Sequence, residues 1–223
     1  MNEAVATNLV KEKGSIKEKA YLGIKRVFDI CVSLVGMLFL IPSIIFVKLA
    51  YLLSGDTHTI FYSQKRIGKD GREFNFYKFR SMLVDSEEIL ENTLKMDPIA
   101  REEYKTTKKL KNDPRVTKAG KLIRKTSIDE LPQLINIFKG DMSLIGNRPY
   151  LPREKEDMGP FYESIVKSKP GLTGYWQVNG RSNTTFEKRL ELESYYSNHC
   201  NLGMDIKIFF KTFTAVLFHK GAE

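Results

Sequence analysis

Ile30-Cys31-Val32-Ser33-Leu34-Val35-Gly36-Met37-Leu38-Phe39-Leu40-Ile41-Pro42-Ser43-Ile44-Ile45-Phe46-Val47 is an unbroken run without a charged residue, bounded by Asp29 and Lys48. As a helix at ~1.5 Å per residue it measures roughly 27 Å, just short of the ~30 Å hydrocarbon core of a bilayer. Pro42 sits inside it, where it removes a backbone hydrogen bond and favours a kink. Lys25 and Arg26 precede the run, and Lys48, Lys65 and Arg66 follow it. Under the positive-inside rule both ends therefore prefer the cytoplasmic side. A single straight pass cannot satisfy that, whereas a broken helix that enters and leaves by one face can. The run thus predicts a re-entrant membrane helix hairpin over 21–54, with its break at Pro42. A buried core helix is the competing reading. A cleavable signal peptide fits less well, because the run is long and no small-residue cleavage site follows it.

The rest of the chain is polar enough to be a folded domain. It has 223 residues, of which 42% are apolar, which suffices for one sizeable core. Its formal net charge of +9 points to anionic partners: nucleic acid, an acidic membrane surface or phosphorylated substrates. Two cysteines, one of them inside the apolar run, make a disulfide framework implausible and favour a reduced, cytosol-facing protein. His58, His199 and His219 are scattered and no Cys/His ligand spacing occurs, which speaks against structural zinc. Neither G-x-x-x-x-G-K-[ST] nor G-x-G-x-x-G is present, so no P-loop or dinucleotide fold is signalled.

Lys125-Thr126-Ser127-Ile128-Asp129-Glu130-Leu131-Pro132-Gln133-Leu134 places two adjacent carboxylates beside a predicted helix. Leu131, Leu134, Ile135 and Phe138 recur at helical spacing, and Gly140 follows the end. Ser127 with Glu130 reads as a capping box; alternatively Asp129 is the cap, which moves Pro132 into the first turn. Either start puts Asp129 and Glu130 where the helix dipole favours anions. Such a pair is most often structural, and its neighbours change the odds. Lys118, Lys121, Arg124 and Lys125 bring cations beside it.

Thr59–Arg66 and Arg72–Phe79 are strand-like segments joined by Gly68-Lys69-Asp70-Gly71, a hairpin signal, and Lys78 and Arg80 close the second strand. Residues 83–111 carry an acidic and then a basic block of helical character, which reads as a solvated face. Gly146-Asn147-Arg148-Pro149 and Trp176-Gln177-Val178-Asn179-Gly180-Arg181 each present an arginine on a turn. Two such turns on one basic chain suggest an oxyanion site, because guanidinium groups bind phosphate bidentately. Ile206, Phe209, Phe210, Phe213, Val216 and Leu217 share a helical face with lysines elsewhere, so the C-terminal segment is a basic amphipathic helix. It fits core packing and a membrane interface equally. Residues 1–20 read as a flexible N-terminus and 55–223 as a catalytic domain with interfacial helices. The fold class expected is α+β, mostly helical and membrane-associated, with one small β-hairpin.

An ordered set of motifs spans roughly residues 20 to 220. It comprises Lys25-Arg26-x-x-Asp29, the apolar run with Pro42, Tyr77-Lys78-Phe79-Arg80-Ser81-Met82, and Arg124 through Asp129-Glu130-Leu131-Pro132-Gln133. Lys139-Gly140-Asp141-Met142-Ser143, Gly146-x-Arg148-Pro149 and Lys169-Pro170-Gly171-Leu172-Thr173-Gly174 to Gly180-Arg181 complete it. This set resembles the bacterial sugar transferases, the monotopic polyprenyl-phosphate phosphoglycosyl transferases. The N-terminal membrane domain of longer members is not seen, so the chain resembles a minimal catalytic unit. The resemblance implies transfer of a sugar-1-phosphate from a UDP-sugar to undecaprenyl phosphate, releasing UMP, at the cytoplasmic face of the inner membrane. It makes Asp129 the nucleophile and Glu130 a holder of Mg²⁺ together with Asp129. Arg148 and Arg181 are then assigned to the donor diphosphate or lipid phosphate, and Lys78, Arg80 and Arg124 to the same cradle. The chain departs from the family pattern at Ile41-Pro42, where Ser-Pro is usual, and at Asn147 and Lys169, where Pro and Arg are usual. A UDP-hexose is expected over an N-acetylated donor, and a homodimer is allowed. The alternatives are a non-catalytic membrane scaffold and a basic nucleic-acid-binding protein; no recognised DNA or RNA motif supports the second, so no nucleic-acid partner is expected.

Overall fold

The apolar run folds as two helices. The computed structural model describes residues 16–180 and 184–217, and within it α1 (Ile16–Met37) and α2 (Leu40–Leu53) meet at a bend of 49°. No single described helix is long and apolar enough to cross a membrane, although the bent pair together has the length and composition. The break lies at Leu38–Phe39, one turn ahead of the expected site at Pro42. Pro42 is the third residue of α2, where its missing N–H is one that a helix start leaves unpaired anyway. Its ring excludes a regular carbonyl four residues earlier, at Leu38, so Pro42 causes the break without being its location. Tight-turn bonds bridge the gap, from Leu38 N–H to the Val35 carbonyl (3.2 Å) and from Phe39 N–H to that of Gly36 (3.0 Å). That answers how the break is satisfied without a serine before the proline. A bend of 49° is compatible with the expected re-entrant hairpin and equally with a broken span.

Many large apolar side chains on this pair face outward, among them Val35, Leu38, Phe39, Ile41, Ile45 and Leu53. The inner half of α1 is fastened to the rest of the chain. Arg26 donates to the carbonyls of Ile137 and Phe138 (2.6 Å each), which a helix C-terminus leaves unpaired. Buried Asp29 accepts from Ser143 Oγ (3.0 Å) and Leu144 N–H (2.9 Å). Lys25 Nζ meets Asp205 at 2.5 Å and Tyr196 Oη at 3.1 Å. Gly36 lets α1 approach α6 closely: a Cβ there would stand 2.7 Å from Leu134 Cδ1.

β1 (Phe61–Ile67) and β2 (Glu73–Phe79) form the expected antiparallel hairpin, with Asp70 in the left-handed region at its turn. Phe74 and Phe76 point into the largest core, with Leu134, Ile137, Met142, Leu144, Ile145, Tyr196 and Ile208. Phe79 points the opposite way, into a second core with Val47, Tyr51, Ile60, Ala119 and Ile123. Each buried phenylalanine contributes about 1.5–3 kcal/mol, so β2 is held from both faces. The excursion over 83–111 is two helices, α3 (Ser86–Met96) and α4 (Pro98–Thr107), the second capped by the Asp97 carboxylate.

α5 (Lys118–Lys125) leads to Asp129-Glu130, and α6 (Gln133–Lys139) follows. Neither predicted helix start occurs. Ser127 takes a left-handed conformation (φ 55°) without capping anything, and Ile128–Glu130 form a separate 3₁₀ turn. The carboxylates thus stand before the helix, not in its first turn. Gly140 ends α6 in the left-handed conformation (φ 91°), as the sequence indicates.

Two three-residue strands, β3 (Ser143–Ile145) and β4 (Gly171–Thr173), pair in parallel, which the sequence did not indicate. α7 (Tyr162–Ile165), α8 (Tyr175–Asn179), α9 (Phe186–His199) and α10 (Leu202–Leu217) complete the described elements. α10 buries Asp205 and Ile208, and Phe209 packs against the main core. Ile206, Phe210 and Phe213, at i, i+4 and i+7, form an exposed apolar stripe. The side chains of Val216 and Leu217 and residues 1–15 lie outside the described residues.

Candidate active site

Asn136, fully buried on α6, positions the carboxylate pair. Its Oδ1 accepts the Tyr77 N–H (3.1 Å) and its Nδ2 donates to the Asn75 carbonyl (2.7 Å), clamping α6 along β2. That clamp brings the turn before α6 against Lys78, which continues the Phe74–Phe76 face of β2. Lys78 Nζ stands 2.9 Å from Glu130 Oε1 and 3.6 Å from Asp129 Oδ2. Its ammonium also lies 5.6 Å from the Phe76 ring centroid.

The two carboxylates differ in environment. Burial holds the Asp129 carboxyl above the ordinary range and the Glu130 charge adds to this, although Lys78 and Arg124 pull the other way. For Glu130 burial also opposes ionisation, but the Lys78 charge and hydrogen bond, with Arg148 and Gln133 behind them, outweigh it and lower its pKa. Glu130 lines a small open cavity, together with Arg66, Phe76, Lys78, Gln133, Arg148, Gly171 and Gln177. Asp129 does not line it: the residue is 6% exposed, with its carboxylate 3.6 Å from Lys78 Nζ.

Arg148 reaches the cavity on the turn after β3. Gly146 N–H donates to the Thr173 carbonyl (2.8 Å), and Gly171 N–H donates to that of Asn147 (2.7 Å). Asn147, the residue that departs from the family pattern, uses its amide to tie the turn to the Ile165 carbonyl (3.1 Å) and Ser197 Oγ (2.6 Å). The Arg148 N–H itself donates to Glu193 Oε1 (3.0 Å).

The cations around this cavity exceed the carboxylates available to them. The buried Nε–H groups of Arg66, Arg148 and Arg189 have no acceptor among the described residues. Burial, with the neighbouring Arg148 charge, pushes the Arg66 guanidinium down to about 10. Trp176 carries Arg189 at 4.4 Å from its ring and one further cation, Lys109, at 5.6 Å. Two of these arginines, Arg66 and Arg148, line the carboxylate-edged cavity, an arrangement chemically suited to an oxyanion.

Residues 20–219 match the family model described as bacterial sugar transferase. The chain belongs to that family. It is 42% identical over 218 residues to the UDP-galactose-lipid carrier transferase of Erwinia amylovora, covering 98% of this chain and 44% of that protein. It is 37% identical over 197 residues to the UDP-glucose:undecaprenyl-phosphate glucose-1-phosphate transferase of Escherichia coli, covering 85% of this chain and 39% of that one. With exopolysaccharide production protein ExoY of Sinorhizobium fredii it shares 38% identity over 212 residues, 95% of this chain and 93% of the relative. The chain thus spans less than half the length of the first two.

Of the residues that the family resemblance singled out, Lys78, Glu130 and Arg148 meet at the cavity, with Asp129 adjoining. Arg124 lies outside the lining, where its Nε donates to Ser81 Oγ (2.8 Å) while its charge reaches Asp129. Arg80 is placed elsewhere. Its Nη2 grips both Asp56 oxygens (3.0 Å each), Nε donates to the Thr59 carbonyl (2.7 Å), and Nη1 donates to that of Met82 (3.1 Å). Stacked 4.5 Å from the Tyr51 ring, it joins α2 to the hairpin. Arg181 lies outside the described residues.

Arg66, Gln133, Arg189 and Glu193 were missed. Arg66 had a readable signal: it opposes Phe74 across the hairpin, so a cation occupies the face that carries the core aromatics. The other three lie on helix faces whose neighbours only the tertiary fold supplies.

Proposed function

We propose that this family member transfers a sugar-1-phosphate from a UDP-sugar to undecaprenyl phosphate, releasing UMP, and so starts assembly of an exopolysaccharide, capsule or O-antigen. The observation that carries this reading is Glu130, with Asp129 adjoining it, facing Arg66 and Arg148 across one cavity, the Nε–H of each arginine lacking an acceptor among the described residues. A carboxylate attacking a diphosphate meets like charge, so the phosphoryl oxygens must be neutralised before the step can proceed. Arg66, Arg148 and Lys78 are placed to do so, and Arg189 supports them from behind.

Asp129 is the nucleophile in this reading. Its carboxylate oxygen bonds to the phosphorus that carries the sugar, the bond to the bridging oxygen breaks, and UMP leaves with that oxygen. The lipid phosphate oxygen then attacks the same phosphorus and displaces Asp129, giving two easier steps in place of one. Because Asp129 is nearly buried and 3.6 Å from Lys78 Nζ, its attack requires the carboxylate to become exposed as the lysine turns to the incoming phosphate. Glu130, its pKa lowered by Lys78, is ionised and faces the cavity.

Two carboxylates beside a phosphate-binding cavity also suit Mg²⁺, which is commonly held by one or two carboxylates and substrate oxygens; no cluster of three acidic, His or Cys ligands occurs among the described residues. Glu130 and Asp129 would hold it, and when bound it neutralises phosphoryl charge. The outward apolar faces of α1 and α2 and the stripe on α10 support a re-entrant, cytoplasmic-side membrane attachment. Relatives named for galactose and glucose donors favour a UDP-hexose. Incubating the full chain with Mg²⁺, undecaprenyl phosphate and a panel of UDP-sugars tests the proposal by UMP release. Release with no donor in the panel rejects it.

A further inference from the structure

Glu193 is 1% exposed on α9, and no step above uses its carboxylate. Its Oε1 accepts the Arg148 N–H at 3.0 Å, while Oε2 and the neighbouring Tyr150 hydroxyl make no bond of good geometry. The charged and titratable groups that face it come from two elements: Arg148 and Tyr150 from the segment after β3, and Arg189 one turn earlier on α9. Lys109, from the segment after α4, interacts with both arginines, and Glu154 with Arg189. α7 meets α9 through the Ser164–Ser194 hydroxyl pair (3.0 Å), and α8 meets it through Tyr175 against Tyr195 (5.4 Å) and through Trp176 under Arg189. One buried carboxylate therefore holds the Arg148 backbone and lies within the electrostatic reach of two guanidinium groups, one of which lines the cavity.

Burial pushes Glu193 up to about 7, against the opposing pull of Tyr150, the Arg148 N–H and the two arginine charges. Both protonation states are populated near neutrality. In the ionised state Glu193 neutralises Arg148 from behind. In the protonated state it leaves that charge to whatever enters the cavity, and an entering anion in turn favours the proton.

We propose that Glu193 is a positioning residue for the donor: it fixes the Arg148 turn through Oε1 and couples arrival of the donor diphosphate at Arg148 to uptake of a proton from solvent. This rests on the UDP-sugar reading above. The sign follows directly. Raising the pH through neutrality ionises Glu193, masks Arg148 and weakens donor binding.

The test is calorimetry of UDP-glucose and UDP-galactose binding to the full chain in lipid nanodiscs, in buffers of different ionisation enthalpy. These donors hold no titratable phosphate proton near neutrality. At pH 7 the wild-type protein should take up as much as about half a proton per donor. Its Kd should rise roughly three- to tenfold from pH 6 to pH 8. Glu193→Gln keeps an acceptor for the Arg148 N–H but cannot titrate, so uptake vanishes and Kd becomes flat with pH. A purely structural Glu193 would change Tm and leave the proton count alone. Binding by the wild type without proton uptake overturns the proposal, as does a Gln variant that retains wild-type uptake. If that variant does not fold, the wild-type proton count alone decides. Absence of any UDP-sugar binding rejects the donor reading itself, a result distinct from binding without a proton.

Discussion

Lys78 Nζ lies 2.9 Å from Glu130 Oε1, so the cavity-facing member of the carboxylate pair carries a standing cation. The same ammonium, 3.6 Å from Asp129, is the largest influence lowering the pKa of that buried group. If Asp129 attacks phosphorus, it must be ionised. The rate should then fall as pH drops through a value above the ~3.9 of a free aspartate. Lys78→Met removes the lysine's stabilisation of the anion and should move this acid limb to higher pH. A pH profile of kcat/KM checks it, and an unmoved limb would detach Asp129 from the step.

Asp129→Asn separates chemistry from folding. Turnover should drop by roughly 10³-fold or more, as for loss of other nucleophiles. Stability should move the opposite way. A carboxyl whose folded-state pKa is raised favours the fold when protonated, and that contribution is lost as pH rises through the folded value. The neutral Asn should therefore raise Tm at pH 7, with little difference from the wild type at acidic pH. Scanning calorimetry at both pH values, beside UMP release and membrane co-sedimentation, reads all three effects.

Two arginines should give opposite signatures. Arg66→Met removes a guanidinium that lines the cavity and should raise the donor KM about 10- to 100-fold, the worth of a charge-assisted hydrogen bond, while the loss of its bonds to the Pro149 carbonyl and Gln64 Oε1 lowers Tm only modestly. Arg80→Met strands Asp56 and should cost about 3–5 kcal/mol of stability, leaving KM of the folded fraction as it was. Thermal melts and donor titrations of the two variants side by side distinguish a binding residue from a structural one.

Gly146→Ala should disable the site without touching any charged group. The new Cβ would stand 2.4 Å from the Lys169 carbonyl and 2.7 Å from Gly171 N, both backbone atoms that cannot yield cheaply. β3 and β4 would part, carrying Arg148 away from Arg66. Loss of activity together with loss of UDP-sugar binding is the expected outcome, seen in parallel assays.

Much of this arrangement was legible because local chemistry agreed with the final fold. The hairpin turn at Gly68–Gly71, the Gly140 helix end and the apolar run all kept their places. Pro42 showed that a break was needed, but steric exclusion acts four residues upstream, so its position shifted to Leu38–Phe39. The β3–β4 pair was illegible because three-residue parallel strands leave no periodic pattern, and their partners are far apart in sequence. Ser127 looked like a cap until its backbone took the left-handed form. Arg80 looked like a substrate ligand because sequence neighbours could not reveal Asp56 as its partner. Glu193 gave no signal at all, since its importance comes from lying beneath a turn forty-five positions away.

The fastening of α1 has a mechanical consequence. Arg26 and Asp29 lock α1 onto α6 and β3, and Val47 and Tyr51 seat α2 in the core that Phe79 shares. Tilt of the helix pair is therefore handed directly to the candidate pocket, which rides on it as a rigid attachment. One alanine inserted between Ser33 and Leu38 would turn everything after it by about 100° around the axis, so either Gly36 and Met37 leave α6 or Val47 and Tyr51 leave their core. Such a protein should lose thermal stability and nucleotide-sugar binding together.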